Sequence, residues 1–310
     1  MKLKGKNTKL IKVAIIMLTL IPLNLYSEEG PVVKLQKKLS KGKNTNREIY
    51  QKVKKCSQTK IKKISIPYSN NELLYYIVAL KDIPIGKVYL KINKIQDNEG
   101  NTRFKVLSKA KTNSFFSKIY RVNAYFSDEF SLPDFNNVSF YEDVTEKELR
   151  RKTTYDFSKD GSVTTITERD GNKETKKYTG GEHTMDFLTL MYMVRGLPLD
   201  TGKSYCFEVF YHKYYWNVSG SVIKKERIQT PAGFFNSIYI EGIAQRKDKP
   251  SVSKRLKLWI SDDEKRIPLK GETVMNMGEV TGYLAYIKSG EEIKNEEIQI
   301  DEDEENTDSQ

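Results

Sequence analysis

Between Trp216 and Tyr286 short runs rich in Val, Ile, Tyr, Phe and Thr alternate with turn chemistry, the pattern of an antiparallel sheet. Two corners set its geometry. At Thr230-Pro231-Ala232-Gly233 the proline presets its own φ and Gly233 can take φ > 0, while Ser261-Asp262-Asp263-Glu264 is an acidic turn in which Asp side chains bond the backbone. The chain doubles back after each, and Trp259, Asp262 and Pro268 belong to this framework, as Pro231 and Gly233 do.

The same alternation begins upstream at Leu73 to Leu80, turns at Pro84 to Gly86, continues through Val88 to Ile92 and returns through Arg103 to Ala110 after Asp97-Asn98-Glu99-Gly100. Val88, Leu90 and Ile92 face one way and Tyr89 and Lys91 the other, the period of two expected when one sheet face is buried. Phe115 to Phe130 fits helical and strand spacing equally. Hairpins are expected across Ser158-Lys159-Asp160-Gly161 and Arg169-Asp170-Gly171-Asn172, with Thr-rich and charged strands suited to an exposed edge. One helix is expected after Gly180-Gly181. Asp186 is its N-cap, Phe187, Leu190, Met191 and Val194 recur at helical spacing, and Arg195-Gly196 with Pro198 ends it. The expected fold is therefore mainly β: a large antiparallel sheet forming an open or spiral, barrel-like domain, with one short helix packed over an opening.

The N-terminus supplies an address. Lys2, Lys4, Lys6, Lys9 and Lys12 precede an apolar run from Val13 to Tyr26, and Ser27 offers a small residue for cleavage. The run falls short of the roughly 20 residues that span a bilayer, so residues 1–27 read as a cleaved signal peptide, with an uncleaved anchor as the alternative. Residues 28–70 form a basic, largely flexible leader with a short helix near 45–55, residues 71–290 the β-rich domain, and residues 291–310 an acidic, disordered tail. Ten acids and one lysine give the tail a charge of −9, which leaves the rest of the chain at +21. Export directs that charge toward anionic lipid or envelope glycan rather than nucleic acid. The expected location is the periplasm or outer envelope of a bacterium.

Two cysteines, Cys56 and Cys206, are the minimum for one disulfide in an oxidising compartment. Pairing them would close a loop of about 150 residues and contribute roughly 4 to 5 kcal/mol on a chain-entropy account. Two unpaired thiols are the alternative. Catalytic signatures are sparse. His183 and His212 lack metal-ligand spacing, Glu182-His183 reads as surface loop, His212 as a strand residue, and nucleophile-elbow, P-loop and Rossmann patterns are absent. No metal or cofactor is expected. The densest chemical feature is the aromatic stripe from Tyr205 to Trp216, which could stack on a sugar or pack a core. Candidate ligand contacts are Met191, Tyr214 and Trp216, with Arg195, Arg227 and Arg266 for an anionic group.

Several motifs share an order found in a known family. Leu80-Lys81-Asp82-Ile83-Pro84-Ile85-Gly86, Asp186-Phe187-Leu188-Thr189 with Met193-Val194-Arg195, TPAGFF at 230 to 235, LKLWISDD with Arg266-Ile267-Pro268, and Gly278 follow one another over roughly residues 70 to 290. This arrangement resembles the bacterial envelope family known as domain of unknown function 3108. The resemblance implies an exported, mostly β protein without an assigned reaction, and makes Gly86 part of its opening motif.

The reading that results is an exported, non-catalytic envelope protein that binds an amphiphile or envelope glycan in support of envelope integrity. A periplasmic scaffold whose acidic tail engages protein partners is the alternative. An envelope enzyme using Glu182 and His183, or Asp262 and Asp263, is a third.

Overall fold

The computed structural model describes residues 58–59, 64, 66–132, 134–275 and 278–289. The signal, the 45–55 helix, Cys56 and the acidic tail lie outside them. Fifteen strands form one sheet: β1 Glu72–Leu80, β2 Ile83–Gln96, β3 Thr102–Thr112, β4 Val122–Ser131, β5 Asn136–Glu146, β6 Leu149–Phe157, β7 Val163–Arg169, β8 Asn172–Tyr178, β9 Thr184–Met185, β10 Ser204–Tyr211, β11 Tyr214–Thr230, β12 Gly233–Arg246, β13 Ser253–Ser261, β14 Pro268–Met275 and β15 Gly278–Lys288. Helix α1 spans Ser114–Ser117 and α2 spans Phe187–Arg195.

The spatial order is β8-β7-β6-β5-β4-β3-β2-β1-β15-β14-β13-β12-β11-β10-β9. The chain starts at the centre, meanders out to β8, then reappears as β9 at the opposite edge. A flat sheet of this width would measure about 65–70 Å at ~4.8 Å per strand. Only residues 179–183 join β8 to β9, and five residues reach roughly 20 Å. The sheet must therefore curl until its two edges approach each other. They meet at glycines: a Cβ on Gly161 would lie 2.3 Å from the Gly181 carbonyl carbon. Tyr215 OH crosses the seam to the carbonyls of Tyr178 and Gly161, at 2.9 and 3.2 Å. The other edge thus meets only the Tyr178 end of β8, and Asn172 to Lys177 stay exposed.

Period-two burial follows from this curl. On β1, Leu74, Tyr76 and Val78 point inward and Leu73, Tyr75 and Ile77 outward, and β2 to β5 repeat the alternation. Helix α2 fills the interior. Its Asp186 N-cap accepts from Leu188 N and Thr189 N, and Phe187 meets Phe126, Phe140 and Tyr211 edge-on at 5.2 to 5.6 Å. Every residue of the helix except Val194 is buried.

Three local expectations change. The β1–β2 turn is Lys81-Asp82, with φ of 48° and 68°, rather than Pro84 to Gly86. Two left-handed residues make the tight turn whose twist suits a hairpin. Pro84 instead lies at the start of β2, opposite Ala79 at a register shift, where a missing donor is tolerated. Phe115 to Phe130 contains both α1 and β4. His212 sits not in a strand but in the β10–β11 turn, with φ of 61°.

Candidate functional site

An apolar groove lies between α2 and the inner face of β10 to β13. Leu190, Val194, Leu197 and Leu199 form one wall, Tyr205, Phe207 and Val218 another, and Ile240, Leu256 and Leu258 the far side. Its cavity volume is about 90 Å³, small beside the roughly 300–1,000 Å³ of most small-molecule sites, and it is partly open to solvent. Its depth has a simple cause: Gly220 and Gly242 face each other across β11 and β12, so the floor lacks two side chains. Gly242 also permits close backbone approach, since a Cβ there would meet the Ser219 carbonyl oxygen at 2.7 Å.

The strand row that lines this groove continues to a lysine. Ala244 pairs with both Val218 and Lys254, which places Lys254 on the inward row, two residues or about 7 Å from Leu256. Burial alone holds its ammonium below the usual lysine range.

The other buried charges are enclosed. Asp128 and Asp186 share a cluster with Asn137 and Thr189: Thr189 Oγ1 donates to Asp128 at 2.9 Å, and Asn137 Nδ2 donates to Asp128 at 3.0 Å and also to Asp186. Burial pushes both carboxyls up, and Asp186 raises Asp128 further, well above the carboxylate range. Two adjacent acids sharing a proton satisfy that arrangement. Glu142 accepts from Tyr211 at 2.8 Å, Tyr155 at 2.9 Å and Arg151 at 3.2 Å. Beside it, burial and the nearby Arg151 lower the His212 imidazole to about 4. Asp128, Asp186 and Glu142 have no exposed surface, so substrate cannot reach them without opening the core.

The residues singled out from sequence do not converge. Arg195 is fully buried, paired with Glu72 and set against the rings of Tyr68 and Tyr192 at 5.2 and 5.3 Å. Met191 and Trp216 are core, with Met191 facing away from the groove lined by Leu190 and Val194. Tyr214 is covered by the Arg246 guanidinium at 3.4 Å. Arg227 lies over Phe234, and Arg266 reaches Asp262 at 3.5 Å. In the aromatic stripe only Tyr205 and Phe207 line the groove, while Phe210, Tyr211 and Trp216 pack inside.

Glu182 and His183 are exposed loop residues. Asp263 caps its turn, accepting from Ser261 Oγ, Lys265 N and Arg266 N at 2.7 to 3.1 Å, and Asp262 pairs with Lys225 at 2.8 Å. Trp259 stacks on Tyr239 at 4.7 Å, and the Pro268 carbonyl accepts from Tyr76 OH at 2.8 Å. Gly86 pairs with Val78, and Gly233, at φ 128°, closes the corner opposite Thr230. Cys206 is buried on β10, where its N–H donates to Thr59 Oγ1 at 3.0 Å and its carbonyl accepts from Thr59 N at 2.8 Å. Among the described residues no group of three or more His, Cys, Asp or Glu could hold a metal ion, and no helix is long and apolar enough to cross a membrane.

Sequence reading missed Lys254, Glu72, Asp128, Asn137 and Glu142. Each carried a signal: a polar or charged residue at an inward position of an alternating strand, as in Phe126-Ser127-Asp128-Glu129-Phe130. Such a residue must find a buried partner or a cavity.

Among solved structures, a β-barrel-like protein of domain of unknown function DUF1849 from Brucella abortus shares 9% identity at a TM-score of 0.48, covering 72% of this chain and 98% of its own. A protein described as exported, with a YmcC-like fold, from Bacteroides fragilis shares 8% identity at 0.35, covering 74% and 100%. One described as a lipoprotein from Parabacteroides distasonis shares 9% at 0.32, with the same coverage. No curated protein matches the sequence. The family described as "Protein of unknown function (DUF3108)" matches residues 74–285, most of the chain and nearly all of the sheet from β1 to β15, and the chain belongs to that family.

Proposed function

We propose that this protein is an exported, non-catalytic envelope protein that holds a single-chain anionic amphiphile, its tail in the groove beneath α2 and its head at Lys254. The observation that carries the reading is the groove itself: an apolar recess left by Gly220 and Gly242, whose inward strand row continues from Leu256 to the partly buried Lys254. Apolar surface drives tail burial at about 25 cal/mol per Å², and an ammonium already drawn away from water loses little more hydration when an anion arrives. The reading supersedes the six contacts chosen from sequence, because Arg195 and Trp216 are committed to the core.

Export rests on the basic, apolar, small-residue order of residues 1–27. In that compartment Cys56 would pair with Cys206. Thr59, three residues after Cys56, is bonded at both N and Oγ1 to Cys206, which supports a staple between the leader and β10.

Native mass spectrometry of the protein purified gently from its own envelope tests the reading. The expected result is one co-purifying acyl amphiphile per chain, lost in Leu256→Trp, which fills the groove, and exchanged for neutral amphiphiles in Lys254→Met. A ligand-free mass that persists after challenge with lauric acid and lysophosphatidylglycerol would count against it and favour a scaffold acting through protein contacts.

A further inference from the structure

At the end of the sheet where β14–β15, β1–β2, β3–β4 and β5–β6 connect, large apolar side chains meet solvent among charged ones such as Lys81, Asp82, Lys147 and Glu148. Ile83 is 66% and Phe115 71% exposed, and Val274, Ile119 and Leu149 are exposed beside them. These five come from four connections, Phe115 and Ile119 sharing one, and hydrogen bonds join the connections into one rim. Lys81 N donates to Glu279 O at 3.0 Å, Asn113 N to Ile85 O at 3.0 Å, Asn113 Nδ2 to Pro84 O at 2.9 Å, and Lys147 N to Arg121 O at 2.8 Å. Large aliphatic and aromatic side chains held in water on adjoining turns leave apolar surface whose burial is favourable, and such a group marks a contact surface.

The adjoining face identifies the contact. Just below the rim, the outward positions Leu73–Ile77 of β1, Lys87–Lys91 of β2 and Leu107–Lys111 of β3 carry Lys87, Lys91, Lys109 and Lys111 and no carboxylate. Tyr75 and Tyr89 pack between them, 4.8 Å apart. Elsewhere the outer face mixes signs, as in Lys257–Glu272 and Lys176–Glu174. Apolar side chains at the turns, followed by cationic and tyrosine-bearing strand positions, is the order that matches acyl chains and anionic head groups.

We infer that this rim docks on an anionic lipid surface, with Ile83, Phe115 and Leu149 entering the acyl boundary and Lys87 and Lys111, paired across β2 and β3 nearest the rim, facing the head groups. The inference does not depend on the groove, which opens on the inner face of β10 to β13. Docking would bring that groove within reach of a source of amphiphiles.

Flotation of the full chain with vesicles of phosphatidylglycerol and phosphatidylcholine, compared with phosphatidylcholine alone, tests it. Ile83→Ser/Phe115→Ser/Leu149→Ser should weaken binding at least about tenfold, and Lys87→Glu/Lys111→Glu should remove the preference for phosphatidylglycerol. Ile223→Ser/Phe234→Ser, which removes two exposed apolar residues elsewhere, should change neither. Because residues 13–26 are apolar in every variant, a local readout is added: Phe115→Trp should acquire a fluorescence component quenched by brominated lipid. Unchanged flotation of the triple variant, or no added quenching in Phe115→Trp, overturns the inference. Self-association abolished by the triple variant, without vesicle binding, would also overturn it and assign the rim to a second copy of the chain.

Discussion

Arg195 and Glu72, 123 residues apart in sequence, form two hydrogen bonds of 2.6 and 2.8 Å in the interior. The same guanidinium donates to the carbonyls of Arg266 and Lys265 at 3.0 and 2.9 Å. It thereby ties the end of α2 to β1 and to the β13–β14 turn. A planar fork with five donors can do this; an ammonium cannot. Arg195→Met is expected to destabilise the fold by about 3–5 kcal/mol through the unpaired buried carboxylate, and Arg195→Lys to recover little. In urea titrations Glu72→Met/Arg195→Met should be less destabilised than Arg195→Met alone. Equal loss would mean that the carbonyl contacts, not the ion pair, carry the effect.

The Asp128 and Asp186 pair makes stability depend on pH. Burial raises both carboxyls above their unfolded value near 4. A raised carboxyl binds its proton more tightly when folded, so its contribution is full below the unfolded value and is lost as pH rises through the folded one. Asp128→Asn keeps a neutral group beside Thr189 and Asn137. It should flatten the decline in stability from about pH 5 upward, measured as the difference from the parent chain. His212, lowered to about 4, has the opposite slope between that value and its unfolded value near 6.5 and is common to both chains.

The seam where the sheet edges meet should be sensitive to one methyl group. Gly161 and Gly171 have nearly the same backbone, φ 76° and 77°, yet a Cβ on Gly171 meets nothing within 4 Å while one on Gly161 strikes Gly181. Gly171→Ala should cost about 1 kcal/mol from the left-handed conformation alone. Gly161→Ala should cost about 1–3 kcal/mol beyond that and raise amide exchange at Tyr178 and Thr184. Equal costs would mean that the seam opens freely.

The proposed Cys56 and Cys206 staple predicts a non-reduced mass 2 Da below the dithiol form. Cys206→Ser should lower the unfolding free energy read from urea titration, by roughly 4 kcal/mol if loop entropy dominates. Two modifiable thiols in the exported protein would eliminate the staple.

Much of the architecture could be read in one dimension because its signals are local. The Asp186 cap and the Leu190/Val194 spacing located α2, and Asp170-Gly171 located the β7–β8 turn. Lys81-Asp82 was missed because two residues without glycine adopt the left-handed turn. The functional surfaces were the least legible. Arg195 has the chemistry of an anion-binding residue, and only its distance from Glu72 in space makes it structural. Lys254 is one of many lysines until the register of β11, β12 and β13 sets it beside Val218 and Leu256.

The sequence by itself determined strand alternation, turns, the helix cap and the separation of basic body from acidic tail, because these depend on residues a few positions apart. Tertiary structure alone decided that β8 and β9 meet, that two glycines open a groove, and that turns from four connections share a rim. Those depend on the register of a fifteen-strand sheet and on how tightly a five-residue link makes it curl.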